Sequence, residues 1–584
     1  MEFIGTLKSF VVYLQDERTD YYCIEKLSSY SKIASSNFEA MTNPNQNRRV
    51  FCVGLDGGTW TILQPLMQAG HMPQLSRLAQ AGVRGVLQST IPPITPAAWS
   101  TFMTGCNPGK HGIFDFQGYD REQHRTFFVN ATSLRMPTLW QLLSRHNKRV
   151  AVVDLPVTYP PPQINGVIIS GLMTPSRAST FTHPAALLHE LETHLGYEWP
   201  LLKEEDEHGR IQADFDGFLR KMQLFLTSRV EAMLYLLQRE IWDFSFLQLQ
   251  AVDFLQHALW KYLDDSHPAY HEKRHQQVIH HFFKPLDHAL GELFSLAKKT
   301  MGEDTLIVVL SDHGFQRHNT RAELNHWLFA NGFLTPQSRR NGMKKSWMRH
   351  AGLIRKLDVL QLRKRLLPKS KRRELGGALR MQSIDHGRSL AYAVSAFWGY
   401  VYLGPAAADS DISNLKNKLG AWRDPQTQQP VVKNVFRRDE IFHGAALDRM
   451  PDLIVEPMPG YTFSSKTYFS DARQLDAVAP DDFHVGTHAS EGIFVLAGPE
   501  IARGETWQEH QVNLQDMMPT LLHWLGLPVP DDCDGVVRRE WFDKQRNGHE
   551  VIFAPSTVEM NSEVMLSDEE QREIERRLHT LGYI

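Results

Sequence analysis

Cysteine is scarce in this 584-residue chain: Cys23, Cys52, Cys106 and Cys533 include no Cys-x-x-Cys pair and form no dense framework. That excludes a disulfide scaffold and a thiolate zinc site, and it suits a reducing compartment, so the expectation is a cytoplasmic protein. No stretch approaches the roughly 18 uncharged apolar residues of a membrane span. The opening MEFIGTLKSFVVYLQDERTD lacks the basic start and the small-residue cleavage site of a secretion signal. A net charge of one sign is lacking too, since 63 Lys and Arg against 66 Asp and Glu give a formal −3. The general electrostatic reason to expect nucleic acid is thereby removed. No internal repeat is present, and a chain that is 42% hydrophobic and 22% charged has the composition of a folded globular protein.

The charge is unevenly distributed. From Arg339 to Arg380 there are fifteen Lys or Arg against only Asp358 and Glu374, a segment of +13 that leaves the remainder at about −16. Without a strand signal, it reads as a basic helical insertion at about 336–382. Its first role is a solvated face, and its second is peripheral contact with an anionic membrane. Residues 1–47 end in the polar cluster MTNPNQNRR and read as an N-terminal extension without a fold of its own. A catalytic domain over 48–545 and a C-terminal tail and helix over 546–584 complete the expected organisation.

Within 48–545, apolar runs closed by turn residues recur: VFCVGLDGG, VAVVDLP, GVIISG, FSFLQLQAVD, DTLIVVLSDHG, LAYAV, DLIVEP and EGIFVLAGPE. Amphipathic helical stretches such as MPQLSRLAQAG and SRVEAMLYLLQRE separate many of them. The alternation predicts an α/β three-layer sandwich, a mostly parallel sheet with helices on both faces. Ligands of such sheets bind beyond the carboxyl ends of the strands.

Acids and imidazoles sit at those ends. Asp56 closes VFCVGLD. Asp253 and His257 follow FSFLQLQ at a spacing of four, on one face of the helix that begins there. Asp312 and His313 follow the clearest strand, where Gly314 is expected to supply the turn that lets adjacent side chains converge, and His488 lies in a loop leading into a late strand. Each residue alone has an ordinary reading as a turn carboxylate or a satisfied histidine. Together, three Asp and three His are the donors of two catalytic sites for divalent metal, with three protein ligands apiece and open positions for substrate and water. Zinc suits such mixed sets, and manganese is the alternative.

The stretch PPITPAAWSTFMTGCNPGKHG holds four hydroxyls, those of Thr95, Ser100, Thr101 and Thr104. Thr95 precedes Pro96 and is expected to be the N-cap of the helix that follows, with Pro96 at its first position. There the helix dipole and free amides favour an anion, so Thr95 is the one hydroxyl suited to nucleophilic attack beside a metal.

The ordered set Asp56, Thr95, Asp253 with His257, Asp312 with His313, and His488 resembles the alkaline phosphatase superfamily, most closely its type I phosphodiesterase/nucleotide pyrophosphatase branch. The likeness runs from about Val50 to Asp534 and takes in TGCNPGKHGI, SDHG and LQDMMPTLLHWLGLPVPDDCDG. The resemblance implies a two-zinc phosphohydrolase. Asp56, Asp312 and His313 would hold the metal beside Thr95, which becomes a transient phosphothreonine. Asp253, His257 and His488 would hold the metal on the leaving-group side. It implies a small phosphorylated substrate, with a phosphodiester or pyrophosphate favoured over a monoester. Phosphoryl or phospho-headgroup transfer and phosphomonoester cleavage are the alternatives on the same fold. Nucleotide pyrophosphatases typically carry an Asn three residues after HGI, where this chain has Phe116; Lys110 is the candidate substitute contact to substrate. A non-catalytic protein binding anionic surfaces would be expected to have lost a ligand, and none is missing.

Overall fold

Six consecutive buried residues in VFCVGL, with none polar enough to face solvent, suit a strand in the interior of a sheet covered on both faces. The structure, a computed structural model, describes residues 48–175, 180–196, 215–337, 384–394, 397–465, 474–482, 484–507, 512–543, 550–556, 558 and 563–581. It places this strand, β1 (Val50–Leu55), in the middle of a nine-stranded sheet. In chain order there follow β2 (Val83–Gln88), β3 (Val150–Leu155), β4 (Gly166–Ser170), β5 (Thr182–His183), β6 (Phe244–Leu249) and β7 (Leu306–Leu310). A separate antiparallel ribbon joins β8 (Gly314–Arg317) to β9 (Gly486–Ala489), and β10 (Glu491–Ala497) and β11 (Glu505–Trp507) return to the main sheet. Its order is β11-β2-β10-β7-β1-β6-β3-β4-β5.

The centre is parallel. Val50 lies opposite both Phe244 and Leu306, so β1, β6 and β7 run in step and their carboxyl ends emerge side by side. The antiparallel members are β10, between β2 and β7, and the short β5 at one edge. LAYAV and DLIVEP do not join this sheet. With Gly399–Leu403 and Val432–Arg437 they make a four-stranded antiparallel sheet of their own. The mixed burial of Val432–Arg437 fits a sheet with one solvated face.

Four helices matter to the site: α1 (Thr95–Thr104), α2 (Phe215–Arg239), α3 (Ala251–Leu263) and α4 (Lys284–Met301). Successive side chains of a strand point to opposite faces. On β6, Phe246 packs on Trp99 and Phe102 of α1, with ring centroids 5.6 and 5.2 Å apart, while Ser245 meets the Met301 sulfur of α4 at 3.9 Å. Helices therefore cover both faces, as the alternation in sequence predicts. Gly54 admits Trp99 to the sheet, because a Cβ there would lie 2.7 Å from the indole.

The extension at 1–47 and the basic segment from 339 to 380 lie outside the described residues. Pro336 and Ile384, which flank the insertion, form an antiparallel bridge, so the chain leaves and re-enters the fold at one point. The C-terminal helix Asp568–Leu581 is tied down by Tyr159, whose hydroxyl donates to Glu570, and by Arg577, which donates to the Thr174 and Pro175 carbonyls. Among the described residues no helix is long and apolar enough to cross a membrane.

Candidate active site

Five of the six acidic or imidazole side chains are delivered by the elements their spacing implies. Asp56 follows directly on β1, and β7 ends just before a bend holding Asp312 and His313. The first two turns of α3, entered directly from β6, carry Asp253 and His257. His488 arrives on β9, opposite Phe315 of β8, rather than in a loop. The outcome is two clusters, Asp56 with Asp312 and His313, and Asp253 with His257 and His488, each with one ligand atom per residue and all such atoms within 4.8 Å of one another. The clusters abut, since the His313 and His488 rings stack with centroids 3.7 Å apart.

The backbone sets the tautomer of all three histidines. Nδ1 of His257, His313 and His488 lies 3.0, 3.1 and 2.9 Å from the carbonyls of Gly486, Gly314 and Pro93. A carbonyl can only accept, so each Nδ1 carries the proton and each Nε2 presents a lone pair. The lone pairs converge: Nε2 of His257 and Nε2 of His488 are 3.1 Å apart, and Asp253 Oδ1 is 3.5 and 3.2 Å from them. Acceptors that close call for a cation between them.

The carboxylates carry the same message. Asp56 Oδ1 and Asp312 Oδ2 are buried without a hydrogen-bond partner among the described residues, and both face Nε2 of His313 at 3.6 and 3.3 Å. Burial, reinforced by the charges of Asp312 and Asp253, pushes the Asp56 carboxyl well above the ordinary carboxylate range. Burial also pushes Asp312 up, despite the hydrogen bond from the Gly57 amide. For Asp253, burial is outweighed by the imidazoles of His257, His488 and His313, which hold the carboxyl down. Burial lowers His257 to about 4 and takes His313 well below the ordinary imidazole range, so both rings favour the neutral form. Three buried carboxyls packed against three Nε2 lone pairs call for positive charge, and two divalent cations would supply it. The residues present thus fit the group: both clusters can chelate a divalent ion.

Thr95 joins the first cluster, its Oγ1 3.2 Å from Nε2 of His313. It is the first residue of α1, not the cap. Ile94 is the capping position, its carbonyl accepting the first helical bond from Ala98, which moves Pro96 to the second position. The Thr95 hydroxyl therefore satisfies no helix amide and is left to the site. The other three hydroxyls turn inward: Thr101 pairs with His111, Thr104 donates to the Ser100 carbonyl, and Ser100 is fully buried. Gly314 is not in the left-handed region. Its constraint is clearance, because a Cβ would lie 2.0 Å from the Glu491 carbonyl oxygen, and the turn itself is made at Asp312 and His313. The structure does not bring Lys110 to this site. Its ammonium pairs with Asp534 and donates to the Asp532 carbonyl at 2.7 Å, past the far end of α1.

The supporting residues escape a reading of strand ends. Asp56 Oδ2 accepts from Gln248 Nε2 at 2.7 Å and from the Trp99 indole at 3.3 Å. Gln256 donates to the Gly57 carbonyl at 2.8 Å and so braces the turn after Asp56. The Phe315 ring packs against His257, His488 and His313, with centroids 4.8, 5.4 and 6.3 Å away. The available signal was Gln248, a polar residue in a wholly buried strand. Gln248→Leu keeps the volume and removes the donor that orients Asp56. Titration against a competing chelator should show the cation at the Asp56 cluster weakened by roughly 10- to 100-fold, with the other cluster unchanged.

A family model described as type I phosphodiesterase / nucleotide pyrophosphatase matches residues 50–490. No curated protein matches the sequence. Among solved structures, phosphonoacetate hydrolase from Sinorhizobium meliloti 1021, in complex with phosphonoformate, is 17% identical with a TM-score of 0.52, covering 83% of this chain and 96% of its own. Human ectonucleotide pyrophosphatase / phosphodiesterase 5 is 14% identical with a TM-score of 0.48, covering 85% of this chain and 100% of its own. The expectation of a cytoplasmic protein is withdrawn. The expectation rested on scarce cysteine. Cys52, Cys106 and Cys533 are free thiols here, and free thiols do not fix a compartment.

Proposed function

Since the chain belongs to the type I phosphodiesterase/nucleotide pyrophosphatase family and is a metal-dependent hydrolase of phosphate esters, we propose that it cleaves a phosphodiester or pyrophosphate through a phosphothreonine on Thr95. The observation that carries this reading is the Thr95 hydroxyl, 3.2 Å from His313 and free of capping duty, at the edge of two adjoining three-ligand clusters.

Asp56, Asp312 and His313 would hold one divalent cation and Asp253, His257 and His488 the other, with zinc best suited to the mixed carboxylate and imidazole sets. Bound there, the cations would lower the pKa of the nucleophile and neutralise charge on the phosphoryl group. The remaining chemistry belongs to the chain's own residues. Thr95 Oγ attacks phosphorus, its bond to phosphorus forms as the bond to the leaving oxygen breaks, and the hydroxyl proton passes to solvent. Water then attacks the phosphothreonine, and Thr95 leaves as the hydroxyl. The N-terminus of α1 favours negative charge on both the threonine oxygen and the phosphoryl group, because its first amides have no helical acceptor. Buried carboxyls and one-tautomer imidazoles keep the ligand atoms aimed before substrate arrives.

Phe116 is buried and offers no side-chain donor where nucleotide pyrophosphatases have an amide, so a nucleotide is not presumed as the leaving half. The test is a panel of aryl phosphate monoester, diester and phosphonate substrates with zinc or manganese added to purified protein. Turnover is expected with two cations per chain and with the diester preferred. Absence of turnover on every substrate in protein shown to hold two cations would sink the reading. Candidate alcohol acceptors added to the same assay separate hydrolysis from transfer, by whether free phosphate product or an acceptor ester accumulates.

A further inference from the structure

The end of α1 opposite Thr95 is stitched to a segment more than 400 residues later in the chain. The Gly105 carbonyl, one residue beyond the helix, accepts from the amides of Asp534 and Gly535, both at 3.0 Å. Asn107 reaches back, its backbone and side-chain amides donating to Asp534 at 2.8 and 2.7 Å. Cys106 and Cys533 stand between these bonds. The Cys533 thiol donates to the Gly105 carbonyl at 3.1 Å, and the Cys106 sulfur lies 3.8 Å from the Asp532 carbonyl, so each thiol rests against the residue before the other. The fit is close, since a Cβ on Gly105 would lie 2.7 Å from the Cys533 sulfur.

The two sulfurs also meet each other. Cys106 hydrogen-bonds to Cys533, and that bond, ahead of burial, pushes the Cys106 thiol up. The partners differ in access, because Cys106 is 1% exposed whereas Cys533 is half-buried. Neither belongs to the two ligand clusters, and the reading of Thr95 makes no use of them. Two sulfurs in contact, on backbones already laced together, need side-chain rotation and no backbone movement to reach the roughly 2.0 Å of a disulfide.

We propose that Cys106 and Cys533 form a redox modification site, a reversible disulfide that pins the C-terminal end of α1 to the segment 529–535 and stabilises the fold. The oxidant is a low-molecular-weight disulfide such as oxidised glutathione. Cys533, the accessible thiol, gives up its proton and attacks one sulfur of that reagent, whose S–S bond breaks and releases one glutathione thiolate to take up the proton. In the resulting mixed disulfide the Cys533 sulfur is a poorer acceptor, which loosens the hold on the Cys106 proton. Cys106 then attacks the Cys533 sulfur, and the second glutathione leaves with the proton of Cys106. Two protein thiols lose two electrons, and one glutathione disulfide becomes two glutathiones. The bond closes a loop of more than 400 residues, for which the constraint on the unfolded chain is near the upper end of its range.

The experiment equilibrates the full chain, folded and metal-loaded, with glutathione buffers of rising oxidised share, blocks the remaining thiols with iodoacetamide, and maps the digest by mass spectrometry beside thermal melts. A peptide pair linked through Cys106 and Cys533 should accumulate as the oxidised share rises and vanish with dithiothreitol. The linked protein should melt roughly 2–5 °C above the reduced one. Cys533→Ser should show neither the link nor the shift, while turning over substrate like reduced wild type. Where that variant does not fold, the wild-type map and melts decide alone. Absence of the linked pair in the most oxidising buffer, arrest at a Cys533–glutathione mixed disulfide, a link that forms only in urea, or a link that lowers the melting temperature overturns the proposal. None of these outcomes bears on the phosphoesterase reading.

Discussion

Thr95→Ala is expected to bind both cations about as tightly as wild type and to lose turnover by roughly four orders of magnitude or more, as removal of a covalent nucleophile does. The two results separate because of where the hydroxyl sits. All six carboxyl and imidazole donors of the two clusters lie on other residues, and each imidazole is oriented by a backbone carbonyl rather than by Thr95. The fold should tolerate the change. Thr95 heads α1 without capping it, and alanine is the better helix former, so the loss of a hydroxyl and a methyl at a fully buried position costs about 1–2 kcal/mol. Thr95→Ser keeps the oxygen and should keep measurable turnover. The decisive readings are metal content, steady-state turnover, and acid-quenched protein after brief exposure to radiolabelled substrate. Wild type and serine variant should carry label and alanine none. Near-normal turnover by the alanine variant would remove Thr95 from the chemistry, whatever the metals do.

That Thr95, the proposed nucleophile, stands out in the sequence, although its helix position was read one residue off, has a physical explanation. Proline and the following helical pattern bound the start of α1, but whether Ile94 or Thr95 occupies the cap depends on which carbonyl accepts the first amide, a tertiary detail. Five of the six candidate ligands, all but His488, stand out because they follow apolar runs directly, and in a parallel sheet the strand ends are brought together whatever the intervening chain does. Gln248, Trp99 and Phe315 were not. Each looks like core in one dimension, and only the register of β1 with β6, the packing of α1 on that sheet and the register of β8 with β9 bring them to Asp56 and the histidines. The expected turn at Gly314 illustrates the opposite error. Glycine suggested the turning residue, whereas the demand is for space against the Glu491 carbonyl, a neighbour more than 170 residues away. LAYAV and DLIVEP were recognised as strands, but composition does not tell which sheet a strand joins.

Asp312→Asn should move activity and stability in opposite directions. In the metal-free protein Asp312 Oδ1 accepts from the Gly57 amide at 3.1 Å, while Oδ2 has no partner among the described residues and faces the lone pair of His313 Nε2 at 3.3 Å. An asparagine keeps the first bond with its oxygen and can donate its amide to that lone pair. A repulsive contact becomes a hydrogen bond, and one buried negative charge next to Asp56 and Asp253 disappears. The gain in metal-free stability should be about 1–3 kcal/mol at neutral pH. Its pH dependence follows from the raised carboxyl of wild-type Asp312. A group whose folded pKa lies above its unfolded one stabilises the fold below the unfolded value, and that stabilisation is lost as pH rises through the folded value. Asparagine does not titrate, so the advantage of the variant should be largest at neutral pH and fade as pH falls towards the ordinary carboxylate range. Adding zinc or manganese should reverse the ranking. Wild type gains stability from both ions, whereas the variant has lost a charged ligand at the cluster beside Thr95, and its turnover should fall by roughly 10³-fold. Thermal melts of both proteins with chelator and with added metal, at several pH values, read all of this at once. If the metal-free variant melts below wild type at neutral pH, Asp312 is a structural carboxylate satisfied by the protein itself. The convergence of Asp56, Asp312 and His313 would then need an explanation other than a cation.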